Sequence, residues 1–451
     1  MSADGKAAAA APGAAAGSRQ RCDACGAEYG ERDARTRCAR CGGLLALVHP
    51  PPALKGAALR ALFDRRADAA RRAAPDEPAA ASGVWRFHEL VLPSATADDV
   101  VSQPEGDTPL MARAAVSRWA GVEQLYLKHD GMNPTGSFKD RGMTVAITQA
   151  RRAGASAAAC ASTGNTSASL AAYAALAGLP ALVLVPAGQV ALGKLAQTLA
   201  YGARTLLVRG DFDDCLRLTR EAADRLGVYV ANSVNPFRLE GQKTCVLEII
   251  QQLAWEPPDW IVLPAGNLGN TSAFGAALRD ALRAGLITKA PRLAAIQAAG
   301  AAPFAKSYRD GFAHHHRVRA ETVATAIKIG DPASYDRAVR VIRETLGVVV
   351  DVPDEAILEA KAVVDAAGVG CEPASAASVA GVRWLVREKV IRPTDRVVAV
   401  LTGHILKDPG LLLDYHKAGT KRARANPPVE IDATLGAVEE ALSAVAREKR
   451  A

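Results

Sequence analysis

From Trp85 onward, short apolar runs alternate with longer segments in which apolar residues recur every three or four positions. LYLK (125–128), AACAS (158–162), ALVLVP (181–186), TLLVRG (205–210), VYVAN (228–232), WIVLPAG (260–266) and RVVAVLTGH (396–404) predict strands buried on both faces. FKDRGMTVAITQARRAG (138–154), SASLAAYAALAG (167–178), LGKLAQTLAYGA (192–203) and residues 212–226 carry the helical period. Alternation of this kind predicts an α/β fold with parallel sheets covered on both faces by helices. Ligands of such sheets lie outside the carboxyl ends of the strands, which is where the Gly-rich and hydroxyl-rich segments fall.

The flanks read differently. Residues 1–18 are Ala, Gly and Ser with no apolar face to offset the cost of ordering, so a disordered tail is expected there. Residues 19–50 hold four closely spaced cysteines, and 51–83 read as a helix with loose ends. Residues 416–451 read as a basic linker, KRARANPP, followed by an amphipathic helix.

At 451 residues the chain is too long for one small core, so two or three domains are expected. No run of about 18 apolar residues predicts a membrane span. The alanine-rich start lacks the cationic stretch and bulky apolar core of a secretory signal. A net charge of +8 suits acidic substrates but does not indicate nucleic acid, and the KRAR stretch has no aromatic stacking set beside it. Nucleic-acid binding is therefore not expected. Cys160, Cys215, Cys245 and Cys371 sit among small and apolar residues and read as reduced core thiols of a cytoplasmic protein. His314, His315 and His316 read as an exposed loop run rather than as metal ligands.

Four loops carry candidate chemistry. NPTGSFK (133–139) forms a turn before a helix, with Ser137 as a plausible N-cap, and places Lys139 in the first turn. Taken alone, Lys139 would be a solvated side chain. ASTGNTS (161–167) offers hydroxyls and backbone N–H groups at a helix start, suited either to capping or to holding a carboxylate. PAGNLGNTS (264–272) follows a strand and opens a helix; its glycines let N–H groups approach a phosphate, and it has neither GxGxxG nor a P-loop lysine. LTGH (401–404) ends the last strand with the hydroxyl of Thr402. A lysine, an anion loop, a phosphate cradle and a polar strand end are together the parts needed to hold pyridoxal phosphate.

Eight segments in order strengthen that inference: EGDTPL (105–110), KHDGMNPTGSFKDRGM (128–143), CASTGNTSASLAAY (160–173), LGKLAQTLAYGA (192–203), NSVNPFRLEGQKT (232–244), PAGNLGNTSAFG (264–275), TAIKIGDPASY (325–335) and LTGHILKDP (401–409). On these the chain resembles the threonine synthase family, pyridoxal-phosphate enzymes of the tryptophan synthase β-like fold. The resemblance implies two doubly wound α/β domains, a large cofactor-binding one from 85–143 and 240–415 and a smaller one over 144–239, in a homodimer. It implies that Lys139 forms the Schiff base and that Asn165 bonds the cofactor's ring oxygen. Gly266, Asn267, Leu268, Gly269, Asn270 and Thr271 would hold its phosphate. Thr402 would face the pyridine nitrogen, and a neutral hydroxyl there implies a largely unprotonated ring.

The implied reaction converts O-phospho-L-homoserine and water to L-threonine and phosphate, the last step of threonine biosynthesis. The resemblance offers Lys194, Asn232, Ser233 and Arg238 for the substrate phosphate, and Ser162, Thr163 and Thr166 for its carboxylate. Read without the motif, Arg238 could equally be a surface ion pair with Glu240. Asp140 and Arg141 are expected in helix-capping or surface roles. The alternatives within the same fold are a threonine or serine dehydratase, which needs no phosphate subsite, and a synthase making cysteate-like products.

CDAC (22–25) and CARC (38–41) form C-x2-C-x12-C-x2-C, each pair followed by glycine. Cys22, Cys25, Cys38 and Cys41 at this spacing suit a structural, zinc-ribbon-like Zn²⁺ site with no open coordination position.

Overall fold

Three sheets organise the described residues of this computed structural model, which are 17–188, 195–420, 422 and 424–448. The first pairs β1 (Arg19–Cys22) with β2 (Glu28–Gly30) on one side and β3 (Leu45–Val48) on the other, both antiparallel. β4 (Leu110–Ala112) and β5 (Gln124–His129) belong to the second sheet, and β6 (Ala157–Ala161), β7 (Ala181–Pro186), β8 (Arg204–Val208) and β9 (Val228–Val230) form the third. β10 (Trp260–Pro264), β11 (Arg292–Ala298), β12 (Val348–Val352) and β13 (Arg396–Leu401) complete the second sheet, whose order is β12-β11-β10-β13-β5-β4. Its pairs are parallel except for β4 against β5. The third sheet is parallel throughout, ordered β8-β7-β6-β9.

The strand period of two explains why those runs are apolar throughout. In β10, Ile261 and Leu263 join one buried cluster while Trp260 and Val262 join another. In β13, Val398 and Val400 face the first cluster, and Val397, Ala399 and Leu401 the second. Both faces are dry, so no polar position is tolerated until the strand ends.

Seven helices place the site: α1 (Lys139–Arg152), α2 (Asn165–Leu176), α3 (Pro236–Gln252), α4 (Gly269–Arg283), α5 (Pro303–Arg309), α6 (Tyr335–Glu344) and α7 (Pro373–Arg387). α1 and α3 cross at a glycine pair. A Cβ on Gly241 would stand 1.7 Å from the Arg141 carbonyl oxygen, and one on Gly142 would stand 2.7 Å from that of Arg238. Only glycine permits this approach, and it brings the beginnings of the two helices together.

Beneath that crossing lies a fully buried charge network. Arg141 donates through Nε and Nη2 to the Asp130 carboxylate at 2.9 and 2.8 Å. It also donates through Nη1 and Nη2 to Glu248, both at 2.7 Å. Lys128 Nζ donates to Glu248 at 2.7 Å and to the Thr108 carbonyl at 2.6 Å. Asp140 is buried too, accepting from Thr135 N, Thr135 Oγ1 and Ser169 Oγ at 2.7, 2.6 and 2.6 Å. The surface or capping roles expected for Asp140 and Arg141 are thus corrected: long-range partners, invisible in a local window, recruit both. Arg141→Ala strands the buried Asp130 carboxylate and leaves Glu248 with Lys128 as its one remaining ion-pair partner among the described residues, and we expect it to lower unfolding free energy by about 3–5 kcal/mol in denaturant titration.

Other expectations need adjustment. Residues 1–16 of the expected tail lie outside the described residues, while Ser18 is buried and bonded to His49 Nδ1 at 2.8 Å. The 51–83 segment is helical over Gly56–Ala70 and again briefly over Pro78–Ala81. Ser137 does not cap α1: Phe138 takes the N-cap position with helical backbone, and Ser137 Oγ accepts from Lys139 N at 3.4 Å. By its internal contacts the chain divides after Lys407, and the unit from Asp408 onward carries helices at Pro409–Tyr415 and Leu435–Glu448.

Candidate active site

The NPTGSFK loop is held against the end of β13. Ser137 and Gly403 form an antiparallel bridge, Phe138 N donates to the Thr402 carbonyl at 2.9 Å, and His404 N donates to the Gly136 carbonyl at 2.9 Å. Gly136 adopts φ +82°, a left-handed turn that glycine enters without cost. The loop therefore delivers Lys139 and Thr402 to one strand end. Lys139 is partly accessible, with Nζ 4.1 Å from the centroid of the Phe138 ring. Desolvation, reinforced by Arg238 and opposed by Glu372, lowers its pKa from 10.5 to about 7.

Arg238 enters from α3. It is 1% exposed, and Nη1 donates to the Ala231 carbonyl at 3.0 Å, but Nε and Nη2 are buried without partners. Burial lowers its pKa to about 10. Glu240 does not pair with it; that carboxylate bonds His49 at 3.0 Å and contacts Lys243. Arg238 acts electrostatically on Lys139, and among the described residues no carboxylate is salt-bridged to either, which describes a place prepared for an anion.

The third loop turns out from β10 into α4. Leu268 takes a left-handed conformation (φ +62°) at the N-cap, so the N–H groups of the first α4 turn point outward without intrahelical partners. The Asn270 side-chain oxygen and the Thr271 hydroxyl are buried and unpartnered. Gly266 is backed by another chain segment, since an added Cβ would lie 3.0 Å from Ile327 Cα. Asn267 anchors that segment by accepting from Ala333 N at 3.0 Å, and its amide reaches Ser233 Oγ at 3.3 Å.

The second loop opens α2. Gly164 is its N-cap and no side chain caps it, so the capping reading of ASTGNTS gives way to an open helix start. Ser162, Thr163, Asn165 and Thr166 there remain partly accessible. Asn165 Nδ2 donates to Glu372 Oε2 at 3.0 Å, and Thr402 Oγ1 donates to Glu372 Oε1 at 3.1 Å. Glu372, just before α7, is 4% exposed, and burial raises its pKa. One carboxyl group thus orients both side chains expected to flank a cofactor ring. Nothing in AGVGCEPAS marked it; the only available cue was an acidic residue inside a small, apolar stretch.

Not every expected ligand is free. Asn232 uses both ends of its amide on Ala161, accepting from its N–H at 3.1 Å and donating to its carbonyl at 3.0 Å, which ties β6 to the chain after β9. Lys194 lies outside the described residues.

Comparison with known proteins decides what this arrangement is. Residues 101–403 match the model of the pyridoxal-phosphate dependent enzyme family. The chain is 43% identical over 424 residues to a threonine synthase of Methanosarcina acetivorans, covering 94% of this chain and 98% of that one. The chain belongs to the threonine synthase family. A threonine synthase of Mycobacterium tuberculosis is 47% identical over 311 residues, covering 68% of this chain and 84% of its own. The solved threonine synthase of Escherichia coli, at 18% identity, shares the fold with a TM-score of 0.66 over 94% of this chain and 99% of that chain.

Pyridoxal phosphate is the cofactor of this threonine synthase family member, and the residues present fit it. They supply an amine of lowered basicity, a helix start with orphaned polar atoms, and a neutral hydroxyl at a strand end. The family member also brings its four close cysteines together. Cys22–Cys41 and Cys25–Cys38 each have Sγ atoms 3.5 Å apart, and all four sulfurs lie within 4.8 Å of one another. Tetrahedral Zn–S bonds of about 2.3 Å would place sulfurs roughly 3.8 Å apart, so the set suits zinc. Tyr29 Oη lies 3.0 Å from Cys38 Sγ, the kind of outer contact that orients a ligand.

Proposed function

We propose that this enzyme converts O-phospho-L-homoserine and water to L-threonine and phosphate, in the last step of threonine biosynthesis. The observation that carries the reading is Arg238, buried beside Lys139 with two donors unmet. A dehydratase has no use for a second anion site there.

When bound, pyridoxal phosphate supplies an aldehyde that bonds amines and a ring that draws electrons from the attached carbon. Gly266, Asn267, Leu268, Gly269, Asn270 and Thr271 would hold its phosphate, Asn165 its ring oxygen and Thr402 its ring nitrogen. Lys139 Nζ would hold the cofactor covalently. The same nitrogen, its basicity lowered, takes protons from substrate Cα and Cβ and returns them to Cγ and Cα. Ser162, Thr163 and Thr166 orient the α-carboxylate at the α2 start. Arg238 takes the substrate phosphate with Ser233, whose hydroxyl also meets Asn267, and Lys194 joins them. Asn232 positions that subsite by fixing the ends of β6 and β9. Once phosphate has left Cγ, water adds at Cβ, and the departed phosphate held by Arg238 accepts the water's proton to become the hydrogen-phosphate dianion.

Assays of the purified holoenzyme test the reading. Phosphate should appear from O-phosphohomoserine with little ammonia from threonine, and the opposite pattern would make it a dehydratase.

Cys22, Cys25, Cys38 and Cys41 hold a structural Zn²⁺ in this reading. The ribbon they close touches the catalytic helices: Glu31 bonds Arg152 of α1 at 2.8 Å, and Asp23 pairs with Arg337 of α6. Metal analysis should find one zinc per chain, and a strong chelator should lower the melting temperature; zinc-free protein of unchanged stability would refute this. A homodimer and a cytoplasmic location belong to the same reading. The buried thiols Cys160, Cys215, Cys245 and Cys371 support the latter, and light scattering checks the former.

A further inference from the structure

Away from the active site, the loop after α5 gathers Asp310, His314 and His316. His314 Nδ1 and His316 Nε2 lie 3.1 and 2.7 Å from the same oxygen, Asp310 Oδ2, and all three donor atoms lie within 4.8 Å of one another. Asp310 Oδ1 is shielded from solvent and has no hydrogen-bond partner. We propose that Asp310, His314 and His316 form a second metal site, for a divalent transition ion of the zinc, cobalt or nickel class.

The donor set argues for that class. Two imidazole nitrogens and one carboxylate oxygen suit borderline ions, whereas Mg²⁺ and Ca²⁺ favour all-oxygen shells. Ligand bonds of about 2.1 Å at cis positions put donor atoms roughly 3.0 to 3.4 Å apart, and the two histidine–aspartate distances already lie close to that range. Without a cation, both imidazoles must direct an N–H at one carboxylate oxygen while the other oxygen stays unsatisfied.

The loop is built before any ion arrives. Phe312 N donates to the Ser307 carbonyl at 2.6 Å, and His316 N donates to Ser307 Oγ at 3.2 Å. Tyr335 Oη donates to the His314 carbonyl at 3.1 Å. Phe312, in the left-handed region at φ +65°, packs its ring 5.3 Å from Phe304, which holds the turn. The rings then alternate: His314 and His316 face Asp310, while His315 stacks on Tyr335 at 3.9 Å and pairs with Asp331 at 3.1 Å. Asp331 lies in the segment that backs Gly266 and bonds Asn267, so an ion here would brace the outer side of the phosphate loop.

The test uses holoenzyme treated with a weak chelator until metal analysis finds one zinc per chain, so that the cysteine site is filled and the histidine loop is empty. Calorimetric titration with Co²⁺ should show one further ion per chain, and the bound cobalt should lack the intense thiolate charge-transfer bands of a cysteine site. His316→Ala and Asp310→Asn should each weaken this binding at least about tenfold, while His315→Ala should leave it intact. No additional cobalt in the wild type, cobalt bound equally well by His316→Ala, or equal loss in His315→Ala would each overturn the site.

Discussion

Lys139→Ala protein is expected to be colourless and to turn over O-phosphohomoserine about ten-thousandfold more slowly, the upper end of what one positioned acid–base group contributes. Substitution removes both the covalent anchor of the cofactor and the base for the Cα proton. The same lysine sets a pH dependence. Its pKa in the cofactor-free protein is lowered from 10.5 to about 7, so the amine is mostly charged below pH 7 and mostly free above it. The rate at which cofactor-free enzyme takes up pyridoxal phosphate should therefore climb about tenfold per pH unit up to neutrality and then level off. A climb that continues to pH 10 would mean an ordinary, solvated lysine.

Arg238→Ala is the second large effect. Loss of a buried guanidinium that meets a phosphate costs about 2–5 kcal/mol, or roughly 30-fold to several thousandfold in kcat/KM for O-phosphohomoserine. Cofactor affinity should change little, because the cradle at the α4 start does not include this residue. The charge also presses on Lys139, so its removal should shift the uptake midpoint upward. Since two of its donors are unmet in the cofactor-free fold, folding stability should hold or rise. Equal loss of cofactor and substrate binding would assign Arg238 to the scaffold instead.

How far the sequence alone reaches can be judged from single residues. The strands β5, β10 and β13 were legible because both of their faces are buried, which leaves an unbroken apolar run. The ends of those runs pointed to Lys139, the Gly266 to Thr271 turn and Thr402, since polar residues at a dry strand's carboxyl end require a reason. Pairings across long separations were not legible. Arg141 looks like a helix-surface residue until Asp130 and Glu248 arrive from β5's end and α3. Asn232 looks like a free ligand until the Ala161 backbone occupies it. Glu372 has no local signature at all, because its role arises only when α2, α7 and β13 converge. The histidine run is an exposed loop as read, but which of its rings share a face is set by the fold and not by local composition.

The account's central claim is that water adds to a carbon of the substrate after phosphate departs, and a turnover in ¹⁸O-water tests it most directly. Mass spectrometry should find the label in the β-hydroxyl of threonine, with the released phosphate unlabelled. Label in the phosphate, with homoserine as the other product, would mean that water attacks phosphorus and would contradict the account.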